Sequence, residues 1–382
     1  MKIQYILIIT LLFLLNACGG GENPDEAGDP GKIGETFPAV GNINPKLSGR
    51  VFVLSGAGTF GKILNLETGE YSDIPGMEEW DSNDAYTGIA FVSVHPNQDA
   101  SITLETVQNC KPRSRTGLIK DDCVIVRNDK GGITNDLSIL QDIENTAKIS
   151  YSGEFIVLPY EKYSDYKNMS LRIYDLMGKL ISVNNLEEQH PDSFDVPEFD
   201  WLPDGRLVYA MDQSIYITAP YDTNGAVLKT FTKVEGEPIQ LMASPDGTKL
   251  AFAMRTKGSS LIRNVGTVWV MSIENPDELY ELAIVPNDDT PSITDPVWSP
   301  DGRWIMVVEG RFNVITGPPY RHPGVDTTPI LYAVPSDGVR VKLSETEETS
   351  AVTVLSNWNS VIFGGAGEIN SHSQAQLVRW VP

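Results

Sequence analysis

From about residue 47 onward the chain alternates short apolar runs with clusters of turn residues. In Val297–Gly310, VWSPDGRWIMVVEG, one apolar run ends at Trp298, Ser299–Gly302 forms the break, and a second run spans Trp304–Val308. Proline presets φ for a tight turn, aspartate hydrogen-bonds the backbone ahead of it, and glycine takes the positive φ that strand twist demands. Flanked by Val, Ile and Trp, this segment predicts a β-hairpin.

The hairpin recurs. Ala243–Met254 (ASPDGTKLAFAM) and Trp201–Met211 (WLPDGRLVYAM) are near copies, and weaker ones begin at Leu47, Val94, Ile149 and Leu355. Aligned on the last turn residue, the anchors are Gly49, Gln98, Gly153, Gly205, Gly247, Gly302 and Asn359, at intervals of 42 to 57 residues. A four-stranded propeller blade takes roughly 40–50 residues. A second hairpin follows at Leu171–Ile181, Thr267–Ala283 and Ile330–Ser344. The seven anchors predict an all-β, seven-bladed propeller of four-stranded blades. After Asn359 the last blade lacks a fourth strand, and Thr36–Val40 is the candidate to supply it, so the ring is expected to close through an N-terminal strand. An open ring would leave exposed edges, which gives closure a physical motive.

Ser-Pro-Asp-Gly after a tryptophan, an apolar strand, and the later run LYAVPSDG together resemble the TolB-type propeller repeat. The resemblance spans Gly41 to Pro382 and is strongest at Asp204, Asp246 and Asp301, where Pro-Asp-Gly is kept. It implies a propeller fold but no single function, because such propellers serve as binding platforms, enzyme lids and occasionally enzymes.

The N-terminus bears on location. Lys2, the apolar run Ile6–Leu15 and Leu15-Asn16-Ala17-Cys18 resemble a bacterial lipoprotein signal, with residues 1–17 as the cleaved peptide and Cys18 as the lipidated residue. A spanning helix needs about 20 apolar residues, more than this run offers. Gly19, by the family's sorting rule, implies the outer membrane rather than retention at the inner one. Residues 18–35, rich in Gly, Pro and acids, read as a disordered tether, and residues 36–382 as the propeller domain. In the oxidising periplasm Cys110 and Cys123 are expected to form a disulfide.

The formal charge is −22. That argues against nucleic acid as a partner, since phosphate binding needs a basic footprint. The remaining expected partners are the membrane, through the lipid, and a protein or an anionic glycan.

Within each blade, strands A to D run outward from the axis, and the anchor turn joins A to B. The B–C connections then lie on the opposite face, and they absorb most of the extra length: Val107–Asp122, Glu161–Asn168, Lys257–Gly266, Gly310–Thr328 and Gly365–Gln376. These connections carry ten positive and six negative residues inside an acidic protein. The candidate ligand- or partner-binding residues are Lys111, Arg113, Arg115, Lys120, Tyr163, Arg263, Arg311, Tyr320 and Arg321. Glu198 and Asp295, each seven residues before its anchor glycine, are placed to face the channel mouth or to cap a strand end.

No Gly-x-Ser-x-Gly elbow, His-Glu-x-x-His, calcium loop or phosphate-binding glycine loop occurs. No cofactor or metal is expected, and the four histidines do not share a blade position. The primary expectation is an envelope binding platform. A lyase or hydrolase of anionic oligosaccharides on the same face is a second reading, with His322, Tyr320 and Arg321 as its catalytic trio. A structural subunit of an envelope assembly is a third.

Overall fold

A computed structural model describes residues 47–54, 61–74, 88–94, 102–112, 120–128, 133–137, 147–160, 169–186, 197–232, 236–255, 267–284, 291–315, 322–325, 330–343, 351–356 and 376–382. All of its sheet structure is antiparallel except for one outer strand. In chain order, β1 (Arg50–Leu54), β2 (Gly61–Asn65) and β3 (Tyr71–Asp73) belong to the first sheet. The second sheet holds β4 (Gly88–Val94), β5 (Ile102–Pro112), β6 (Lys120–Asn128) and β7 (Ile133–Leu137). The third holds β8 (Lys148–Ile149), β9 (Phe155–Tyr160), β10 (Ser170–Asp175) and β11 (Leu180–Asn185). The fourth holds β12 (Glu198–Trp201), β13 (Leu207–Met211), β14 (Ser214–Thr218) and β15 (Gly225–Thr230). The fifth is β16 (Glu237–Ala243), β17 (Lys249–Arg255), β18 (Thr267–Ser272) and β19 (Leu279–Ile284). The sixth is β20 (Pro291–Trp298), β21 (Trp304–Ile315), β22 (His322–Val325), β23 (Ile330–Pro335) and β25 (Val352–Ser356). Between them in sequence, β24 (Val341–Lys342) joins the outer edge of the fifth sheet, parallel to β19.

The last strand, β26 (Gln376–Val381), returns to the first sheet and pairs with β1, from Arg50↔Val381 to Leu54↔Gln376. The innermost strands then contact one another in the order β26, β4, β8, β12, β16, β20 and back to β26. This is a closed β-propeller ring.

The described residues form six sheets, not the seven expected. The second, third and fourth are built from consecutive strands, the fifth takes β24 from within the stretch of the sixth, and the first joins the two ends of the described chain. The hairpin signals at Gly49 and Asn359 each predict a blade. Yet β25, just before Asn359, is the outer strand of the sixth sheet, and β26 is the inner strand of the first. A hairpin pattern marks a turn between two runs but not the sheet each run joins. In a ring closed by sharing a sheet, counting from both ends counts that sheet twice. The closing strand is therefore C-terminal and innermost, rather than N-terminal and outermost; Thr36–Val40 lies outside the described residues.

The anchor turns form as their residue types require. Gly153, Gly205, Gly247 and Gly302 take φ of +72°, +85°, +71° and +70°. Asp301 Oδ1 accepts from the Ser299 hydroxyl at 2.7 Å and from the Arg303 amide at 3.0 Å. Asp246 repeats this with Ser244 at 2.6 Å and Thr248 at 3.0 Å. Burial opposes ionisation at both aspartates, but the hydroxyl and amide donors outweigh it, and both pKa values fall below 3.8. Just before the turn, the Trp201 indole donates to Lys148 O at 3.0 Å and Trp298 to Met242 O at 3.1 Å. Each indole thus ties its inner strand to that of the preceding sheet. Between sheets the core is apolar, for example Leu250, Phe252, Met271 and Ile215 between the fourth and fifth.

Two B–C connections are β-ribbons where loops were expected. The pairing of β5 with β4 ends at Gln108, but β5 and β6 continue to Lys111↔Asp121 and Pro112↔Lys120. Likewise β21 leaves β20 at Arg311 and continues against β22, from Phe312↔Val325 to Ile315↔His322. Backbone pairing satisfies the polar groups of these extensions, which a loop of the same length would have to leave to solvent. The ribbons rise from the second and sixth sheets, the two neighbours of the first.

Candidate functional site

Side chains alternate across a strand, and on β12 this sorts four residues cleanly. Phe199 and Trp201 pack into the apolar cluster toward the third sheet, while Glu198 and Asp200 lie on the other face. Asp200 is fully buried. Its Oδ2 accepts from the Ala243 amide of β16 at 2.8 Å. Its Oδ1 has no hydrogen-bond partner but is flanked by two cations, Lys148 Nζ at 3.6 Å and Arg379 Nη2 at 3.5 Å. A carboxylate so deeply desolvated stays charged only when opposite charges compensate it.

Arg379 comes from β26, in the first sheet. Beyond Asp200 in the fourth sheet it reaches Met242 Sδ in the fifth at 3.2 Å and hydrogen-bonds the Tyr151 side chain in the third. Its partners therefore sit on the three sheets that do not adjoin its own, so its side chain crosses the channel. Tyr151 is pushed up to about 12, first by burial; Arg379 opposes the rise, and Asp200 and Asp246 add to it. Lys148, on β8, also donates to Phe199 O at 2.6 Å.

Glu198 lies one step nearer the B–C face. It keeps surface open to solvent, yet protein surrounds it on the channel side. That crowding raises its carboxyl above 4.5, with Lys148 and Arg255 pulling the other way. Arg255 is itself held by Glu237, Nη2 to Oε2 at 2.7 Å.

At the position equivalent to Glu198, seven residues before each anchor glycine, stand Gln240 and Asp295. They lock together. Gln240 Nε2 donates to Asp295 Oδ1 at 2.8 Å, and the Asp295 amide donates to Gln240 Oε1 at 3.0 Å. Both have left-handed backbones, φ +55° and +54°, at bulges in β16 and β20. A non-glycine residue in that region costs about 1–3 kcal/mol and persists only where its surroundings hold it.

The binding residues expected from sequence lie elsewhere on this face. Lys111 is in β5, Lys120 in β6 and Arg311 in β21, and His322 opens β22. The structure places these four by backbone register on the two ribbons. Arg113, Arg115, Tyr163, Arg263, Tyr320, Arg321 and Cys18 lie outside the described residues, so the catalytic trio of the second reading is not brought together here. Cys110 and Cys123 fall on the paired strands β5 and β6, where Cys123 stands across from Val107. The Asp200, Lys148 and Arg379 group is not among the residues that the sequence pattern singles out. The available signal was a charge alternating with apolar neighbours inside a strand: FDW at 199–201, LVRWV at 377–381 and AKI at 147–149.

Among the described residues no group of three or more His, Cys, Asp and Glu side chains is placed to hold a metal ion, and no helix is long and apolar enough to cross a membrane.

No family model matches the chain, and no curated protein does. Among solved structures it is similar to TolB from Acinetobacter baumannii, at 18% identity and a TM-score of 0.47, covering 77% of this chain and 65% of that one. A protein from Agrobacterium tumefaciens assigned as TolB matches at 13% identity and a TM-score of 0.46, over 88% of this chain and all of the other. An oligogalacturonate lyase in complex with manganese is also similar, at 13% identity and a TM-score of 0.40, over 72% of this chain and 67% of that one. The chain spans less than two thirds of the Acinetobacter TolB. The fold assignment rests on the ring of sheets itself.

Proposed function

We propose that this chain is a lipid-anchored propeller of the bacterial cell envelope that binds a partner on its B–C face. The partner is one that presents carboxylate or phosphate groups. The observation that carries the reading is the pair of ribbons on either side of the first sheet, on the face where the sequence concentrates positive charge. Arg engages such groups bidentately, which favours Arg113, Arg115, Arg311 and Arg321 over the lysines. The adjacency of β5 and β6 supports a Cys110–Cys123 disulfide at the base of the first ribbon. Such a bridge would pre-order that surface and reduce the entropy lost on binding.

The anchor belongs to the same proposal: Cys18 carries the lipid, the outer membrane is the destination, and residues 18–35 are the tether. The test is acyl labelling and fractionation of wild type and Cys18→Ala, combined with cross-linking of intact envelopes through a photoreactive residue at position 120. The reading predicts an unlabelled, unprocessed Cys18→Ala and a specific cross-linked product at position 120, absent when the photoreactive residue stands at position 301. Normal processing of Cys18→Ala removes the lipoprotein reading. Cross-linking from position 301 alone removes the choice of face.

A further inference from the structure

We infer that Arg379 is the key that locks the C-terminal strand into the ring, and that the ring opens at this strand before any other sheet separates. The inference does not depend on the binding function proposed above. Five of the six inner strands are covalently continuous with the next strand of their own sheet. β26 is not: it enters a sheet whose other strands, β1 to β3, lie at the far end of the described chain.

What holds β26 divides into two sets. Toward its own sheet it has the ladder to β1, the Trp380 indole donating to Ser48 O at 2.8 Å, and Arg50 Nε donating to Pro382 O at 3.2 Å. The ladder is interrupted, because Phe52 pairs with Arg379 and Val53 with Leu377, which leaves Val378 as an extra residue. A bulge re-aims the side chains beside it, and here the neighbouring side chain is Arg379. The second set is the reach of Arg379 across the channel to Asp200, Met242 and Tyr151. One guanidinium therefore joins the closing strand to the third, fourth and fifth sheets at once. Losing it frees β26 from the far side of the ring and leaves, on the near side, the bulged ladder, two hydrogen bonds and the apolar packing of Leu377, Trp380 and Val381. Opening here breaks no chain connection, whereas opening between other neighbouring sheets must stretch one.

The test is hydrogen exchange of the full chain, read by mass spectrometry, for wild type, Arg379→Met, Arg379→Lys and Asp200→Asn. The expected result is at least a tenfold rise in exchange for amides of β26 and β1 in Arg379→Met, with β13 and β14 unchanged. Asp200→Asn should raise exchange in the same two strands, and Arg379→Lys should fall between wild type and Arg379→Met. If Arg379→Met does not fold, Arg379→Lys decides by the same comparison of strands. Equal rises in all sheets, or unchanged exchange in β26, would overturn the inference.

Discussion

Arg379 of β26 and Asp200 of β12 lie 3.5 Å apart across the channel, joining the first sheet to the fourth. With Lys148 at 3.6 Å on its other side, Asp200 is a buried anion between two cations. Desolvation makes such a group costly to build and costlier to break, because removal of one member leaves uncompensated charge in a medium of low dielectric.

Asp200→Asn should therefore destabilise the protein by about 3 kcal/mol, near the lower end for breaking a buried pair. The amide oxygen can still accept from Ala243, so the loss reports the charge rather than the hydrogen bond. Urea unfolding should show a lower midpoint with an unchanged slope. Arg379→Met added to Asp200→Asn should cost less than the two single changes together, since each cation exists to offset the same anion.

Glu198 gives a pH dependence of the opposite sense to the turn aspartates. Its folded pKa lies above 4.5, so its contribution to stability is complete below about pH 4.5 and is lost as pH rises through the folded value. Glu198→Gln should remove that loss, so the variant gains on wild type as pH rises from about 4.5. Asp246 and Asp301 have folded values below 3.8, so their contribution is present above that pH and is lost as pH falls through the folded value. Asp301→Asn should accordingly lose to wild type at neutral pH and converge with it in acid. Thermal unfolding between pH 3 and about 8 checks both slopes.

The anchor glycines are not equally sensitive. At Gly302 a methyl group would meet nothing within 4 Å, so Gly302→Ala incurs only the left-handed backbone cost, about 1–2 kcal/mol. At Gly205 the same methyl would lie 2.6 Å from the Tyr221 ring, which itself packs on Trp201 and Phe155. Gly205→Ala should cost more than Gly302→Ala in the same denaturation assay. Equal losses would mean that the Tyr221 ring moves aside freely.

The repeat was legible because its chemistry is local. Pro-Asp-Gly at Asp204, Asp246 and Asp301 closes turns within five residues, and the structure has them where the pattern puts them. Trp298 ends an apolar run in the pattern and Trp201 opens a copy of the repeat, and the indoles of both tie neighbouring sheets. The sheet count was not legible, because closure pairs Val381 with Arg50, and no periodicity distinguishes that partner from a strand in a blade of its own. The channel group was hidden for the same reason. Lys148, Asp200 and Arg379 come from three strands far apart in sequence, and each alone reads as one more surface charge. The pattern puts Glu198 and Asp295 either at the channel mouth or at capped strand ends, and the lock between Asp295 and Gln240 depends on two bulges that the pattern does not announce.

The most direct test of the functional account compares paired charge reversals on the two faces, with binding to extracted envelope partners measured at low salt. Arg113→Glu with Arg115→Glu changes the B–C face. Lys179→Glu with Lys249→Glu changes the anchor-turn face, where both positions flank turns. The account predicts a loss of about 2–5 kcal/mol in binding from the first pair, as for truncation of desolvated charge contacts, and little change from the second. Equal losses from both pairs, or a loss from the second alone, would contradict it.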